Sequence, residues 1–447
     1  MKIPAAPACG LEARRLEIFW QYAFNLHLAS PRRTGYNGKQ RHLLHAAATN
    51  SPCAALYFCR AATGRKGAAM QRVKPKMSRP KAFALLFLIL AAIGLVIWGG
   101  VRLFSARPVS SVTASLLPCP YNDTIMPFGK SVLYYDGVSI HCMSDTGSVR
   151  WSFQIGPDAG FDCNDTVVAA WVGSTIYILD QNGNSSYNDN LGEEIQFARV
   201  GAQYVAAVIG DTTTPRLVVK DHTGAHMDEE SDAYSTLILL DVGFYGKNGE
   251  YMWTLALDVF GPASNTILNT FEVGKMNTGA VSLGEAITYA VVYENGLLRV
   301  INTRKMLTFN DRGTEDASAS VLVYGWQLLD SEVPERGDAL MLFAPTSQAE
   351  SIFDIRELRL ISGSRDKRYS LPDTCIGAAV WNKTVYALSA DTLYRAGQND
   401  SRFTTYPLPM ERQATRLIGT LANGRAVVAC GDEVYVITLP QAINTLN

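Results

Sequence analysis

Charge is scarce in this chain: Asp, Glu, Lys and Arg make up 18% of its 447 residues. Histidine is scarcer, with six in all and only His141, His222 and His226 beyond residue 81. So few imidazoles leave little material for general-base catalysis. No G-x-S-x-G elbow, Walker loop or dinucleotide fingerprint occurs, so hydrolase and nucleotide chemistry lose their usual sequence support. Beyond Ser131 no amphipathic helix of convincing length can be read. Cysteine is sparse too. Cys9, Cys53 and Cys59 precede residue 82, and Cys119, Cys142, Cys163, Cys375 and Cys430 follow it. Five is an odd number, and the spacing fits neither a zinc site nor a dense disulfide framework. Buried free thiols are expected for most of these five, with one or two bridges open to an oxidising exterior.

Acid is nearly absent from the first 81 residues, which hold 15 Lys/Arg against Glu12 and Glu17. The totals of 40 basic and 41 acidic residues therefore leave 25 and 39 beyond that point, a net of −14. A body this acidic repels nucleic acid and anionic lipid headgroups. Residues 1–81 read as a basic, disordered tail; Met70 and Met77 are alternative starts, in which case the first stretch is leader.

One long apolar run exists, Ala82 to Val101, twenty residues without a charge. At about 1.5 Å per residue it is about 30 Å long as a helix, enough to cross a hydrocarbon core. It exceeds the 7–15 residues usual in a signal-peptide core, and Val112-Thr113-Ala114 is a weak cleavage site, so an uncleaved signal-anchor is expected. Arg65, Lys66, Arg72, Lys74, Lys76, Arg79 and Lys81 precede it, whereas only Arg102 and Arg107 follow closely. That asymmetry places the N-terminus in the cytoplasm and the body outside. The expected domains are a tail at 1–81, a membrane helix at 82–104, a linker at 105–126 and an extracytoplasmic domain at 127–442.

The body itself consists of short apolar runs such as SVLYY, TIYILD, QYVAAVI, RLVVKD and EVYVITL. Turn signals including Asp136-Gly137, Asn182-Gly183, Asn295-Gly296 and Asn423-Gly424 separate them. Such runs of four to eight residues are the strand signature. They also repeat. An apolar run reaches an Asp, a turn and then Gly147, Gly183 or Gly224, at intervals of 36 and 41 residues. Four residues after Gly147, Gly183 and Gly249 stand Trp151, Tyr187 and Trp253. An aromatic at a constant offset suits the packing of one sheet on the next. A period near 40 with four strands per unit marks a β-propeller. Some 325 residues at about 40–45 per blade make seven blades, with eight close behind. The fold class is all-β.

Asp145-Thr146-Gly147-Ser148-Val149-Arg150-Trp151 resembles the D-x-x-T-G-x-x-x-W repeat of quinoprotein-like propellers, shortened between Asp145 and Thr146. The order of basic tail, single span and degenerate propeller is similar to a family of membrane-anchored propellers of Gram-positive bacteria that has no assigned activity. The resemblance covers roughly residues 70–447 and implies a fold and an address. It also raises a quinone- and calcium-dependent dehydrogenase as an alternative function. That motif occurs once, however, and Trp171, Trp253, Trp326 and Trp381 lie outside copies of it.

Two further constellations carry weak chemistry. His222 and His226, with Asp228, Glu229 and Glu230 nearby, make a candidate cation site, although a Thr223-Gly224 turn interrupts the pair. Ser364-Arg365-Asp366-Lys367 matches S-x-x-K, but the Gly363 beside it points to a hairpin and no S-D-N or K-T-G follows. Five sequons, at Asn122, Asn164, Asn184, Asn382 and Asn399, read as turn chemistry. The expected function is therefore a non-enzymatic scaffold without cofactor. Its partners would be the bilayer through 82–104 and an envelope protein, peptide or glycan, with no nucleic acid. Insertions near 258–280, 309–320 and 330–338 are the expected contact surfaces.

Overall fold

A computed structural model describes residues 111–441 apart from 262, 276–278, 285, 311–312, 335–336 and 350–353. The expected tail and membrane helix lie outside these residues. Among the described residues no helix is long and apolar enough to cross a membrane.

Eight four-stranded antiparallel sheets follow one another along the chain. Blades 1 to 7 occupy 126–154, 160–190, 195–230, 238–282, 288–322, 326–375 and 377–407. Blade 8 takes Arg416–Leu421, Arg425–Cys430 and Glu433–Thr438 from the C-terminal end and Ala114–Pro120 from the N-terminal end. In each complete blade the four strands pair in sequence order, and first strands of successive blades neighbour one another at the centre. The protein is thus an all-β propeller of eight blades, one more than the repeat arithmetic favours. Loops stretch blades 4 and 6 beyond a 40-residue pitch, and the eighth unit is divided between the two ends of the described chain. Neither end therefore displays a whole repeat.

Part of the stretch expected to be linker is the strand that closes the ring. Ala114 pairs with Ile437 and Leu117 with Val434, while Tyr121 N–H donates to Asp432 O at 2.8 Å. Asp145 in blade 1 reaches back to Arg425 (3.1 Å) and Asn423 (2.7 Å) of blade 8. Closure in this way leaves no long unpaired sheet edge at the join.

Packing explains why the strands read as continuous apolar runs. The buried side chains form eight hydrophobic clusters, and each lies between two successive blades. Alternate residues of one strand serve opposite seams: Val132 faces blade 8, and Leu133 faces blade 2. Likewise Val205, Ala207 and Ile209 face blade 2, while Ala206 and Val208 face blade 4. A strand buried on both faces cannot show polar alternation.

Two of the three aromatics picked out by the repeat do stitch blades together. Trp151, on the outer strand of blade 1, lies on Gly183 in the turn of blade 2, and its Nε1 donates to Gln181 O at 2.9 Å. Tyr187 repeats the contact one blade later, against Gly224. Trp253 does not. It sits on the second strand of blade 4 against Gly243 of the same blade, because the turn at Gly249 joins first and second strands rather than third and fourth.

Candidate functional site

The carboxylates and guanidiniums of the inner strands hold the seams together. Asp162 of blade 2 accepts from Val200 N–H of blade 3 at 2.8 Å. Arg199 lies beside Asp162 (3.8 Å) and binds Asp241 of blade 4 at 2.9 Å, so one cation spans three blades. In blade 5, Glu294 binds Arg299 within the sheet and Ala339 N–H of blade 6. Glu332 of blade 6 accepts from the consecutive N–H groups of Asn382 (2.7 Å) and Lys383 (2.9 Å) in blade 7. Both residues have positive φ, 48° and 59°, which aims their two N–H groups at the two oxygens of one carboxylate. Sequence reasoning missed these groups. Their available signal was an acid at the end of an otherwise apolar strand, as in TYAVVYE and WQLLDSE.

Asp330 has a measurable consequence. Its carboxylate accepts from Val380 N–H of blade 7 at 2.9 Å, and burial raises its pKa to about 6. The folded state then holds a proton that the unfolded chain releases near pH 3.9, so this group favours folding most below pH 4 and loses that contribution as pH rises through 6. At 1.4 kcal/mol per unit the loss is at most about 3 kcal/mol. Asp330→Asn should remove the dependence. Its stability relative to wild type should be higher at pH 7.5 than at pH 4, read from melting curves at both values. Equal differences at the two values would refute the assignment.

The sequence candidates for a cation site are placed apart in role. Asp228 is buried and accepts from Gly274 N–H of blade 4, with burial raising its pKa. His226 is exposed on the outer strand, and His222 is partly buried in the preceding turn, where burial lowers its pKa. Among the described residues no three His, Cys, Asp or Glu side chains gather as metal ligands would. Ser364 stands in a hairpin turn, while Lys367 Nζ donates to the carbonyls of Gln398 (3.2 Å) and Asp400 (2.5 Å). The S-x-x-K match is hence a β-hairpin tied to blade 7, not a helix start. A groove of about 370 Å³ lies there, lined by Leu360, Arg365, Lys367 and Asn399 among others.

The third histidine makes contacts that the spacing did not suggest. His141 Nδ1 is 2.7 Å from Ser152 Oγ, and Nε2 is 2.9 Å from Asp136 Oδ2. His141 and Ser152 face each other across paired strands, and Tyr134 stacks on the imidazole at 5.4 Å. The histidine's hydrogen bond is the main influence holding the Asp136 carboxyl down at about 2. The network ties the Asp136 turn to the outer strand of blade 1.

All five cysteines beyond residue 110 are free thiols, four of them buried. Burial raises Cys119 and Cys430 to about 11 and Cys375 to about 12, so they are unionised at neutral pH and poor nucleophiles. The sequons at Asn122 and Asn164 are turns as expected, with Oδ1 accepting from Thr124 N–H (3.1 Å) and Thr166 N–H (2.8 Å).

Among the described residues, three of the seven exposed large apolar side chains stand on the loops of one rim, while Val149 and Val333 lie at the other. In an antiparallel blade, second-to-third turns and blade-to-blade connections share one end of the ring. Val138 (46% exposed), Phe260 (66%) and Tyr324 (66%) all stand in such connections. The expected contact surfaces are only partly loops. The strand Asn265–Glu272 occupies the middle of 258–280, and 309–320 folds back along its own blade through Asp316 N–H to Thr308 O.

No family model and no curated protein matches the chain. Solved structures similar to it are propellers. BamB from Moraxella catarrhalis has a TM-score of 0.48 at 11% identity, over 74% of this chain and 99% of that one. Saccharomyces cerevisiae Sqt1 has a TM-score of 0.49 at 10% identity, over 74% and 100%. The WD40 domain of Neurospora crassa Pan2 has a TM-score of 0.41 at 9% identity, over 75% and 98%.

Proposed function

We propose that this propeller is a non-enzymatic scaffold that binds an envelope protein, tethered through 82–104 with the ring outside the cell. The Lys/Arg excess before the apolar run supports the orientation. The similarity to membrane-anchored propellers of Gram-positive bacteria supports the address. What carries the binding reading is the rim that exposes Val138, Phe260 and Tyr324. Large apolar side chains cost solvation unless a partner covers them, and a closed ring holds their loops in constant relative positions. The inner-strand acids serve the fold, since Asp162, Glu294, Asp330 and Glu332 bind the next blade's backbone.

A photo-crosslinking amino acid in place of Val138 or Phe260 tests this in intact membranes. Val149, 56% exposed at the start of an outer strand and at the opposite rim, is the control. One protein band captured from the first two positions and absent from the control is the expected result. Equal capture from all three, or none, would sink the proposal.

A further inference from the structure

Blade 5 is incomplete at its periphery. Its outer strand is only Val321–Leu322, paired with Lys305 and Met306, whereas the outer strand of blade 6 runs the eleven residues Arg365–Cys375. Residues 313–320 fold back along the third strand of blade 5 in place of a regular outer strand, and on the outer strand of blade 6 Arg368 and Ser370 stay exposed. The residues in this blade 5–blade 6 notch are not typical solvent-facing ones. Leu322 is 65% exposed, and Tyr324 is 66% exposed at the crown of a turn closed by Trp326 N–H to Val323 O. The Trp326 ring lies under two guanidiniums, Arg359 at 5.7 Å and Arg368 at 5.3 Å.

The two arginines are unequal. Arg359 is buried; it grips Asp366 with two hydrogen bonds (2.9 and 2.6 Å) and donates to Leu322 O at 2.8 Å. It is a strut between blades, and its charge is answered. Arg368 is exposed and has no salt bridge among the described residues. Lys305, cross-strand from Leu322, is also exposed. Glu357 shares the sheet face of Arg359 and Arg368, so three cations there meet two carboxylates, Asp366 and Glu357, in a body that carries 39 acidic and 25 basic residues, and Arg368 is the guanidinium left without a salt bridge among the described residues. Tyr, Trp and Arg around an apolar ledge is the composition of a protein-binding hot spot. A guanidinium preoriented on an indole forms a charge-assisted bond to a carboxylate without giving up the stacking.

We infer that the blade 5–blade 6 notch docks an acidic segment of a partner protein, with an apolar side chain against Leu322 and Tyr324 and a carboxylate on Arg368. This rests on the scaffold reading and names the chemistry of one of its surfaces. The notch lies where the truncated strand ends, so its specificity follows from local charge and not from the net acidity of the ring.

The test uses the purified full chain and three labelled nonapeptides, alternating Glu–Leu, Lys–Leu and Glu–Ser, read by fluorescence anisotropy. The expected result is binding of the Glu–Leu peptide alone, weakened by added salt. Arg368→Glu and Tyr324→Ser should each weaken it at least about tenfold, the scale of one hot-spot residue. Both variants must keep the wild-type melting temperature, and Arg368→Glu should transfer binding to the Lys–Leu peptide. Equal affinity of the variants for Glu–Leu, or no binding at all, would overturn the notch. So would self-association of the chain that Arg368→Glu abolishes, because the occupant would then be a second copy. None of these outcomes removes a partner crosslinked at Val138 or Phe260, so the scaffold reading stands or falls separately.

Discussion

Arg299→Met should destabilise the ring by about 3–5 kcal/mol, the cost of leaving a buried charge without its partner. Arg299 and Glu294 are 9% and 2% exposed, and the guanidinium also donates to Thr308 Oγ1 at 2.6 Å. Without it, Glu294 keeps, among the described residues, the Ala339 N–H of the next blade, so the carboxylate must protonate or rearrange. Either change loosens the seam between blades 5 and 6. For a domain of this size the melting temperature should fall by roughly 5–10 °C. Replacing both residues, Glu294→Met with Arg299→Met, should recover much of the loss, because the uncompensated charge disappears. A single variant that melts with the wild type would show that the pair contributes nothing.

The second large effect concerns Gly183. A Cβ there would lie 2.5 Å from the Trp151 ring, and the residue has φ +77°. Gly183→Ala therefore combines a backbone penalty of about 1 kcal/mol with overpacking of about 1–3 kcal/mol. Gly137 separates the two. It has φ +100° and nothing within 4 Å of an added Cβ, so Gly137→Ala should cost the backbone penalty alone. Equal losses in urea unfolding of the two variants would show that the Trp151 contact carries no constraint. A larger loss at Gly183, with altered tryptophan fluorescence, is expected.

Trp151 and Tyr187 were legible because a turn needing Gly and an aromatic four residues later recur at constant spacing. The same offset misled at Trp253, since spacing alone does not say which two strands a turn joins. His222, His226 and Asp228 show the complementary failure. They are close in sequence, but the Asp228 side chain turns to the Gly274 amide of the neighbouring blade. The seam acids were hidden because their partners are backbone N–H groups 38 to 51 residues away, which leave no mark in composition.

Local chemistry determined, from the amino-acid sequence alone, that this body is built of short strands in a repeat of about 40 residues, rich in tight turns and poor in catalytic groups. Strand propensity and turn geometry are properties of a few neighbouring residues, so they can be read there. Tertiary structure decided the eighth blade, the closing role of Ala114–Pro120, the partners of the buried charges and the exposure of Leu322 and Tyr324. Each of these depends on which sheet lies next to which, and ring closure joins residues more than 300 positions apart.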